Sequence, residues 1–285
     1  MERLQEALSR ARDRRQQATA AATAGVAQAP VGRVAPARNG DAQFNTSSQE
    51  AWRRLAQYEP NERTLKSNRV VAYFGGREAT AFDMMRTKVI QQIKANNWRR
   101  ILVTSPTPKC GKTTITANLA FSFGRQADFR TLVIETDMRR PELAHLLGIK
   151  ENLRFARVLS GDEPAEAHML AYGNNLAFAA NKVPAENPSD LLLSGMAREK
   201  IVEIEKTYAP DLVLFDAPPL LASDDTAAFL DFVDAAILVA AAEETSIHEV
   251  DVAESEIAAA TNVLGVVLNK SRYSTSAYGY EDGYY

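Results

Sequence analysis

Cysteine is almost absent from this 285-residue chain, which carries only Cys110. A single thiol excludes both a disulfide framework and a zinc site built from cysteines. Apolar runs are short: Ala235 to Ala242 is among the longest, whereas a membrane-spanning helix needs roughly 18–20 residues. The N-terminus also lacks the apolar stretch of a signal peptide, so we expect a cytoplasmic location.

An excess of either charge is also missing. The 33 Lys and Arg residues and the 36 Asp and Glu residues give a formal net charge of −3. Because no surplus of cations is present to displace counterions from a polyanion, we expect no nucleic-acid partner. Tyrosine, in contrast, is concentrated at one end of the chain, at Tyr273, Tyr278, Tyr280, Tyr284 and Tyr285.

Residues 1–68 differ in composition from the rest of the chain. Residues 18–49 hold hardly a large apolar side chain, so they cannot bury enough surface to become ordered. Residues 1–17 would form a short basic helix that either docks on a membrane or partner or remains a solvated tail. We therefore predict a disordered or partly helical leader over 1–68, a globular domain over 69–270 and a flexible tyrosine-rich tail over 271–285.

Short apolar runs alternate with helical patterns throughout the predicted domain. Most of these runs are too apolar to have a face in water, which indicates strands covered by helices on both sides. The runs are residues 101–104, 131–134, 176–179, 212–215, 236–240 and 263–268. This alternation predicts an α/β fold with a doubly wound, mainly parallel sheet.

The first of these runs leads into a loop that ends in Gly111-Lys112-Thr113 and opens a helix. A strand, a loop and a helix in this order are the context of a P-loop, although Pro106 replaces the first glycine of the motif. Lys112 would reach the β- and γ-phosphates of a nucleotide, and the Thr113 hydroxyl would bind Mg²⁺. The predicted nucleotide-binding residues are Thr107, Pro108, Lys109, Cys110, Gly111, Lys112, Thr113 and Thr114.

Carboxylates end two other predicted strands. Glu135 and Asp137 follow the second run, and Asp216 follows the fourth in the position of a Walker B acid. Ligands of open α/β sheets bind at the carboxyl ends of strands, where these motifs would meet the P-loop. Acids beside phosphates require a cation, so we predict Mg²⁺ bound by Thr113, Asp137 and Asp216.

From Val70 to the C-terminus the chain resembles the bacterial tyrosine kinases (BY-kinases) of capsule and exopolysaccharide export. The P-loop, the tyrosine-rich tail and four further motifs carry this resemblance. Those motifs are Asp137-Met-Arg-Arg-Pro141, Asn187-Pro-Ser-Asp-Leu-Leu192, Phe215-Asp-Ala-Pro-Pro219 and Val267-Leu-Asn-Lys270. The resemblance implies a P-loop NTPase fold of the Min/Par-like group that binds ATP and Mg²⁺ and phosphorylates the tail tyrosines.

The same resemblance assigns roles to single residues. It implies that Lys112, Glu135, Asp137 and Asp216 are catalytic. Glu135 stands where the family has the first acid of its A′ motif, which is thought to deprotonate the tyrosine, and is one methylene longer than the aspartate of that motif. For Asn269 two interpretations stay open: an adenine contact, as the resemblance suggests, or a turn residue.

Partners are also implied. Members of the family without a membrane segment work with a transmembrane chain-length regulator whose cytoplasmic tail activates them, and a cognate phosphatase reverses the modification. We therefore expect a protein held at the inner face of the plasma membrane by its partner. Ring-shaped homo-oligomers in the family use Glu-x-x-Arg-x-x-Arg, of which Arg86 matches the last position, whereas Thr80 and Asp83 occupy the others.

The main hypothesis from the sequence is an ATP-dependent tyrosine autokinase. One alternative is a positioning ATPase of the Min/Par type, but its extra P-loop lysine is replaced here by Thr107. The other alternative is a nucleotide-binding regulatory subunit with weakened catalysis, which the substitutions at Glu135, Thr80 and Asp83 would suit.

Overall fold

The structure is a computed structural model that describes residues 46–271. The predictions for residues 1–45 and for the tyrosine-rich tail beyond residue 271 lie outside the described residues. No helix within residues 46–271 is both long and apolar enough to cross a membrane.

One sheet contains the eight strands of the described region. They are Ala56–Gln57 (β1), Arg100–Thr104 (β2), Thr131–Glu135 (β3), Met169–Tyr172 (β4), Leu176–Ala179 (β5), Leu212–Asp216 (β6), Ala235–Ala241 (β7) and Asn262–Asn269 (β8). Their order across the sheet is β1-β4-β5-β3-β6-β2-β7-β8. Every adjacent pair is parallel except β4 with β5, which is antiparallel. The predicted mainly parallel sheet is confirmed.

Helices cover both faces of the sheet. Within residues 46–271 they are Thr46–Arg54 (α1), Glu62–Ser67 (α2), Thr80–Asn96 (α3), Lys112–Gly124 (α4), Leu143–Leu147 (α5), Phe155–Leu159 (α6), Pro188–Leu193 (α7), Gly195–Tyr208 (α8), Asp224–Ala227 (α9) and Ile247–Ala260 (α10). Short 3₁₀ turns lie at Val71–Tyr73, Arg77–Ala79, Ala165–Ala167 and Leu230–Phe232.

Two apolar clusters divide these helices between the faces. Helices α2 to α5 contribute to one cluster, and α1, α6, α7, α8 and α10 contribute to the other. Along β3, Val133 belongs to the first cluster, whereas Leu132 and Ile134 belong to the second. This alternation follows from the two-residue period of a strand, and it confirms the doubly wound arrangement.

The folded domain begins earlier than the predicted residue 69. Helix α1 is fixed by Trp52, whose indole Nε1 donates to the Tyr208 carbonyl oxygen at 2.7 Å and whose ring packs edge-on against the Tyr208 ring. Strand β1 adds to the sheet beside β4, and the Tyr58 hydroxyl donates to the Leu147 carbonyl oxygen. The predicted leader is therefore structured from Thr46, because isolated aromatic residues supply the buried surface that the surrounding composition lacks.

The register of the central strands positions the predicted site. Val103 of β2 and Glu135 of β3 both pair with Asp216 of β6. The loops that follow these three neighbouring strands therefore leave the sheet side by side. The P-loop, the A′ segment and the Walker B carboxylate meet at this edge.

Candidate functional site

The P-loop connects β2 to α4 and contains the predicted nucleotide-binding residues. Its backbone is left-handed at Lys109, with φ 68°, and at Gly111, with φ 90°. A Cβ atom at Gly111 would collide with the amide nitrogen of Asn269, so the position requires glycine for both space and conformation. Asn269 Nδ2 donates to the Cys110 carbonyl oxygen at 2.8 Å. The amide predicted to contact adenine or end a turn thus ties the end of β8 to the P-loop.

Cys110 lies inside the loop. Its thiol is buried and contacts the Thr107 carbonyl oxygen at 3.2 Å and the Thr245 hydroxyl at 3.4 Å. Pro108 and Lys109 are exposed, whereas Lys112 and Thr113 are buried in the first turn of α4. The middle of the loop is therefore exposed to solvent, whereas its two ends are packed against the rest of the domain.

Lys112 lies between two carboxylates at the end of the sheet. Its ammonium nitrogen is 2.8 Å from Asp137 Oδ2 and 3.9 Å from Asp216 Oδ1. Burial disfavours the charged ammonium, but the charges of Asp216 and Asp137 outweigh this effect and raise the pKa of Lys112. The lysine is therefore a cation at neutral pH, which is the state that binds phosphate.

The Asp216 carboxylate is fully buried. Its Oδ1 accepts from the Thr116 hydroxyl at 3.3 Å, and burial raises the pKa of its carboxyl group. Within the part of the chain that the structure describes, its Oδ2 is buried without a hydrogen-bond partner. A buried acceptor without a donor is costly, and a bound cation would satisfy it.

The donor set fits Mg²⁺ better than a softer metal. Asp216 Oδ2, the Asp137 carboxylate and the Thr113 hydroxyl are hard oxygen ligands near Lys112. Residues 46–271 contain no cluster of three His, Cys, Asp or Glu side chains able to hold a metal without help. Mg²⁺ usually takes one or two carboxylates and completes its shell with phosphate oxygens and water.

Glu135 makes different contacts from Asp137. Its carboxylate is fully buried and accepts three backbone N–H groups: Glu142 at 2.8 Å, Leu143 at 2.7 Å and Asn181 at 2.7 Å. Burial raises the pKa of Glu135 to about 8, although the three N–H donors oppose the shift. The two predicted A′ acids therefore have separate surroundings, with Asp137 at the lysine and Glu135 at backbone amides.

An ion pair that sequence reasoning missed joins the A′ segment to helix α9. Arg139 Nε donates to Asp225 Oδ2 at 2.6 Å, and Ser189 of the Asn-Pro-Ser-Asp motif bonds both Arg139 and Asp225. Asp225 is buried. Burial would raise its pKa, but hydrogen bonds from Arg139 and Ser189 outweigh burial and lower it. The Arg-Arg pair and the Ser-Asp motif were visible in the sequence, but nothing there linked them.

The positions of the family's oligomerisation motif take part in contacts within the chain. Arg86 donates to the Ser122 carbonyl oxygen at 2.8 Å and to Asp83 Oδ1 at 3.2 Å. Asp83 also accepts from the Ser122 hydroxyl and from Arg125. Arg86 and Asp83 therefore fix α3 against α4.

Sequence comparison agrees with this geometry. Residues 101–283 match the CobQ/CobB/MinD/ParA nucleotide binding domain family. The tyrosine-protein kinase CpsD of Streptococcus pneumoniae serotype 4 is 32% identical over 192 residues, which cover 66% of this chain and 83% of CpsD. The chain belongs to the bacterial tyrosine-protein kinase family. The predicted resemblance and the Min/Par-like fold group are thus confirmed.

Other members of the kinase family differ in length. The putative tyrosine-protein kinase AmsA of Erwinia amylovora is 31% identical over 183 residues, which cover 63% of this chain but only 25% of AmsA. This chain therefore spans about a quarter of that relative's length. The solved structure of the kinase domain of Escherichia coli tyrosine kinase ETK superposes on this chain with a TM-score of 0.63 at 26% identity. The match covers 73% of this chain and 80% of that domain.

Proposed function

We propose that this protein is an ATP-dependent protein-tyrosine autokinase that regulates exopolysaccharide or capsule polymerisation and export. One observation carries the proposal: a P-loop lysine lies between Asp137 and Asp216 in a chain of the tyrosine-kinase family. Phosphoryl transfer depends on positioning and on charge neutralisation, and these residues supply the second requirement.

The proposed division of labour follows from the contacts. The Lys112 ammonium, the P-loop amides and the N-terminus of α4 would bind the phosphates of ATP. Thr113, Asp137 and Asp216 would hold Mg²⁺, which offsets the repulsion between phosphates and carboxylates when it is bound. Thr116 and the strand pairing of β3 with β6 keep Asp216 in place.

The proposed acceptors are the tail tyrosines, which lie outside the described residues. They are Tyr273, Tyr278, Tyr280, Tyr284 and Tyr285. We further propose that a transmembrane chain-length regulator holds the protein at the inner face of the plasma membrane, that copies of the chain associate for transfer between tails, and that a cognate phosphatase removes the phosphates.

The test is to incubate the purified protein with Mg-ATP, with and without the cytoplasmic tail of its chain-length regulator, and to map phosphotyrosine by mass spectrometry. We expect phosphate on residues 273–285 in the wild type and a loss of at least about a hundredfold in Lys112→Met, because the variant lacks the cation that stabilises the transferring phosphoryl group. Lys94→Met, which removes an exposed lysine of α3, is the matched control and should retain wild-type activity.

Two outcomes would contradict the kinase proposal. ATP hydrolysis without phosphotyrosine would support a positioning ATPase of the Min/Par type. Nucleotide binding without any turnover would support a regulatory subunit. Calorimetric binding of Mg-ATP to the wild type and to Lys112→Met separates the second outcome from a protein that is simply unfolded.

A further inference from the structure

Glu135 bridges two segments that are distant in the sequence. Its Oε1 accepts from the backbone nitrogens of Glu142 and Leu143 at the entrance to α5, and its Oε2 accepts from that of Asn181 just after β5. Leu143 and Asn181 are buried. Without this carboxylate, their N–H groups would be left in the interior without an acceptor, which is destabilising.

The bridge also closes the loop that carries Asp137. Residues 136–141 connect Glu135 to the N–H groups that Glu135 itself accepts, so one carboxylate joins the two ends of the loop. Inside this loop, Asp137 Oδ1 accepts from the Arg140 nitrogen at 3.2 Å, which leaves Oδ2 to contact Lys112. The near end of the loop is also held by the Thr136 and Asp137 nitrogens, which donate to the Asp216 carbonyl oxygen at 2.8 and 3.1 Å, whereas Glu135 fixes its far end.

Side-chain length explains why glutamate suits this position. An aspartate on the same strand would end one methylene sooner, and a carboxylate at that shorter reach could not keep all three N–H bonds at 2.7–2.8 Å. All three donors are backbone groups in fixed positions, so the bridge cannot follow a shorter side chain without moving the loop.

We propose that Glu135 is a positioning residue, which holds the loop of residues 136–142 so that Asp137 faces Lys112, and that it does not accept the proton of the attacking tyrosine. This inference rests on the proposed kinase function, where a base at this position was expected. A carboxylate engaged by three backbone donors would have to abandon them to act as a base, and the loop would then lose its closure.

The experiment compares Glu135→Asp with Glu135→Gln in the full chain. Glutamine keeps the length and one oxygen, so it retains the bonds to Glu142 and Leu143 but cannot act as a base. Aspartate keeps a carboxyl group but loses the reach. Glu142→Gln, an exposed neighbour whose side chain is not part of the bridge, is the matched control.

A positioning role predicts that the glutamine variant is the more active. We expect Glu135→Gln to keep kcat within about tenfold of wild type, and Glu135→Asp to fall well below it with a several-fold higher Mg²⁺ concentration at half-maximal rate. Hydrogen exchange should quicken at Asn181 in Glu135→Gln, and at all three amides in Glu135→Asp, by roughly tenfold or more. Glu142→Gln should match the wild type in every measurement.

The opposite order would overturn the proposal. If Glu135→Asp equals or exceeds the wild-type kcat while Glu135→Gln is inactive, Glu135 is the base. If both variants are inactive while their three amides remain protected from hydrogen exchange, the positioning role is also contradicted. If both are inactive and the amides have lost their protection, the positioning role is supported. If the wild type makes no phosphotyrosine, the kinase proposal fails. The role of Glu135 is then decided by two other measurements, the hydrogen-exchange rates of the three amides and the Mg²⁺ dependence of ATP binding.

Discussion

Single residues define the geometry of the P-loop. Gly111 adopts a left-handed conformation directly under the amide of Asn269, and that amide bonds the neighbouring carbonyl oxygen of Cys110. The sequence predicted the loop from Gly111, Lys112 and Thr113, because these residues are contiguous. The contact with Asn269 was not predictable, since the two positions are brought together only by the pairing of β2 with β7 and of β7 with β8.

We predict that Gly111→Ala lowers the free energy of unfolding by about 2–4 kcal/mol, through a strained φ and a collision with Asn269. In an Asn269→Ala background the same substitution should cost only about 1–2 kcal/mol, because the strain alone remains. A double-mutant cycle in urea checks this. Equal costs in the two backgrounds would show that Asn269 does not crowd the loop.

At the scale of the elements, loops from distant parts of the chain support one another through ionic contacts. The A′ segment after β3 is tied to α7 and α9 by Arg139, Ser189 and Asp225. The structure divides residues 188–208 at Ser194, which follows α7 and caps α8. The break depends on this local cap, which the hydrophobic pattern hides.

We predict that Arg139→Met lowers the free energy of unfolding at neutral pH, because it leaves the buried Asp225 carboxylate without its ionic partner. The loss should be smaller than for a fully buried ion pair, because the Arg139 side chain is 48% exposed. Arg140→Met, at the exposed neighbouring position, is the control and should have little effect in urea denaturation.

The pH dependence of this difference has a definite sign. The folded-state pKa of Asp225 is lowered, so the pair stabilises the protein above the unfolded-state pKa of about 4 and loses its effect as the pH falls through the folded-state value. The difference in the free energy of unfolding between the wild type and Arg139→Met should therefore become smaller as the pH falls below about 4. A gap that stays constant down to pH 2 would contradict the assignment.

For the whole molecule, the sequence predicted the fold class and six of the strands but not where the folded domain begins. Strand β1 was missed because its two residues are too few for a periodic pattern. Strand β4 was also missed, although it is as long as the predicted β5. Helix α1 was missed because its buried face consists mainly of Trp52. In the candidate site, Lys112, Asp137 and Asp216 come together as expected, since parallel strands end at one edge, whereas the partners of Glu135 depend on tertiary packing.

We predict that Trp52→Ala lowers the free energy of unfolding by about 3–5 kcal/mol, because it removes a buried indole and its hydrogen bond to Tyr208. Arg53→Ala, on the exposed side of α1, should change it little. Urea unfolding followed by far-UV circular dichroism provides the comparison. Equal stability of the two variants would restore the later domain boundary at residue 69.

The ion pair between Lys112 and Asp137 means that nucleotide binding is an exchange. The carboxylate is an intramolecular competitor for the ammonium, at a high effective concentration because both groups are fixed 2.8 Å apart. When a phosphate binds the Lys112 ammonium, the Asp137 carboxylate loses its partner, and a divalent cation can then balance its charge. Nucleotide and Mg²⁺ should therefore bind with positive cooperativity, and by thermodynamic reciprocity each should tighten the other by the same factor.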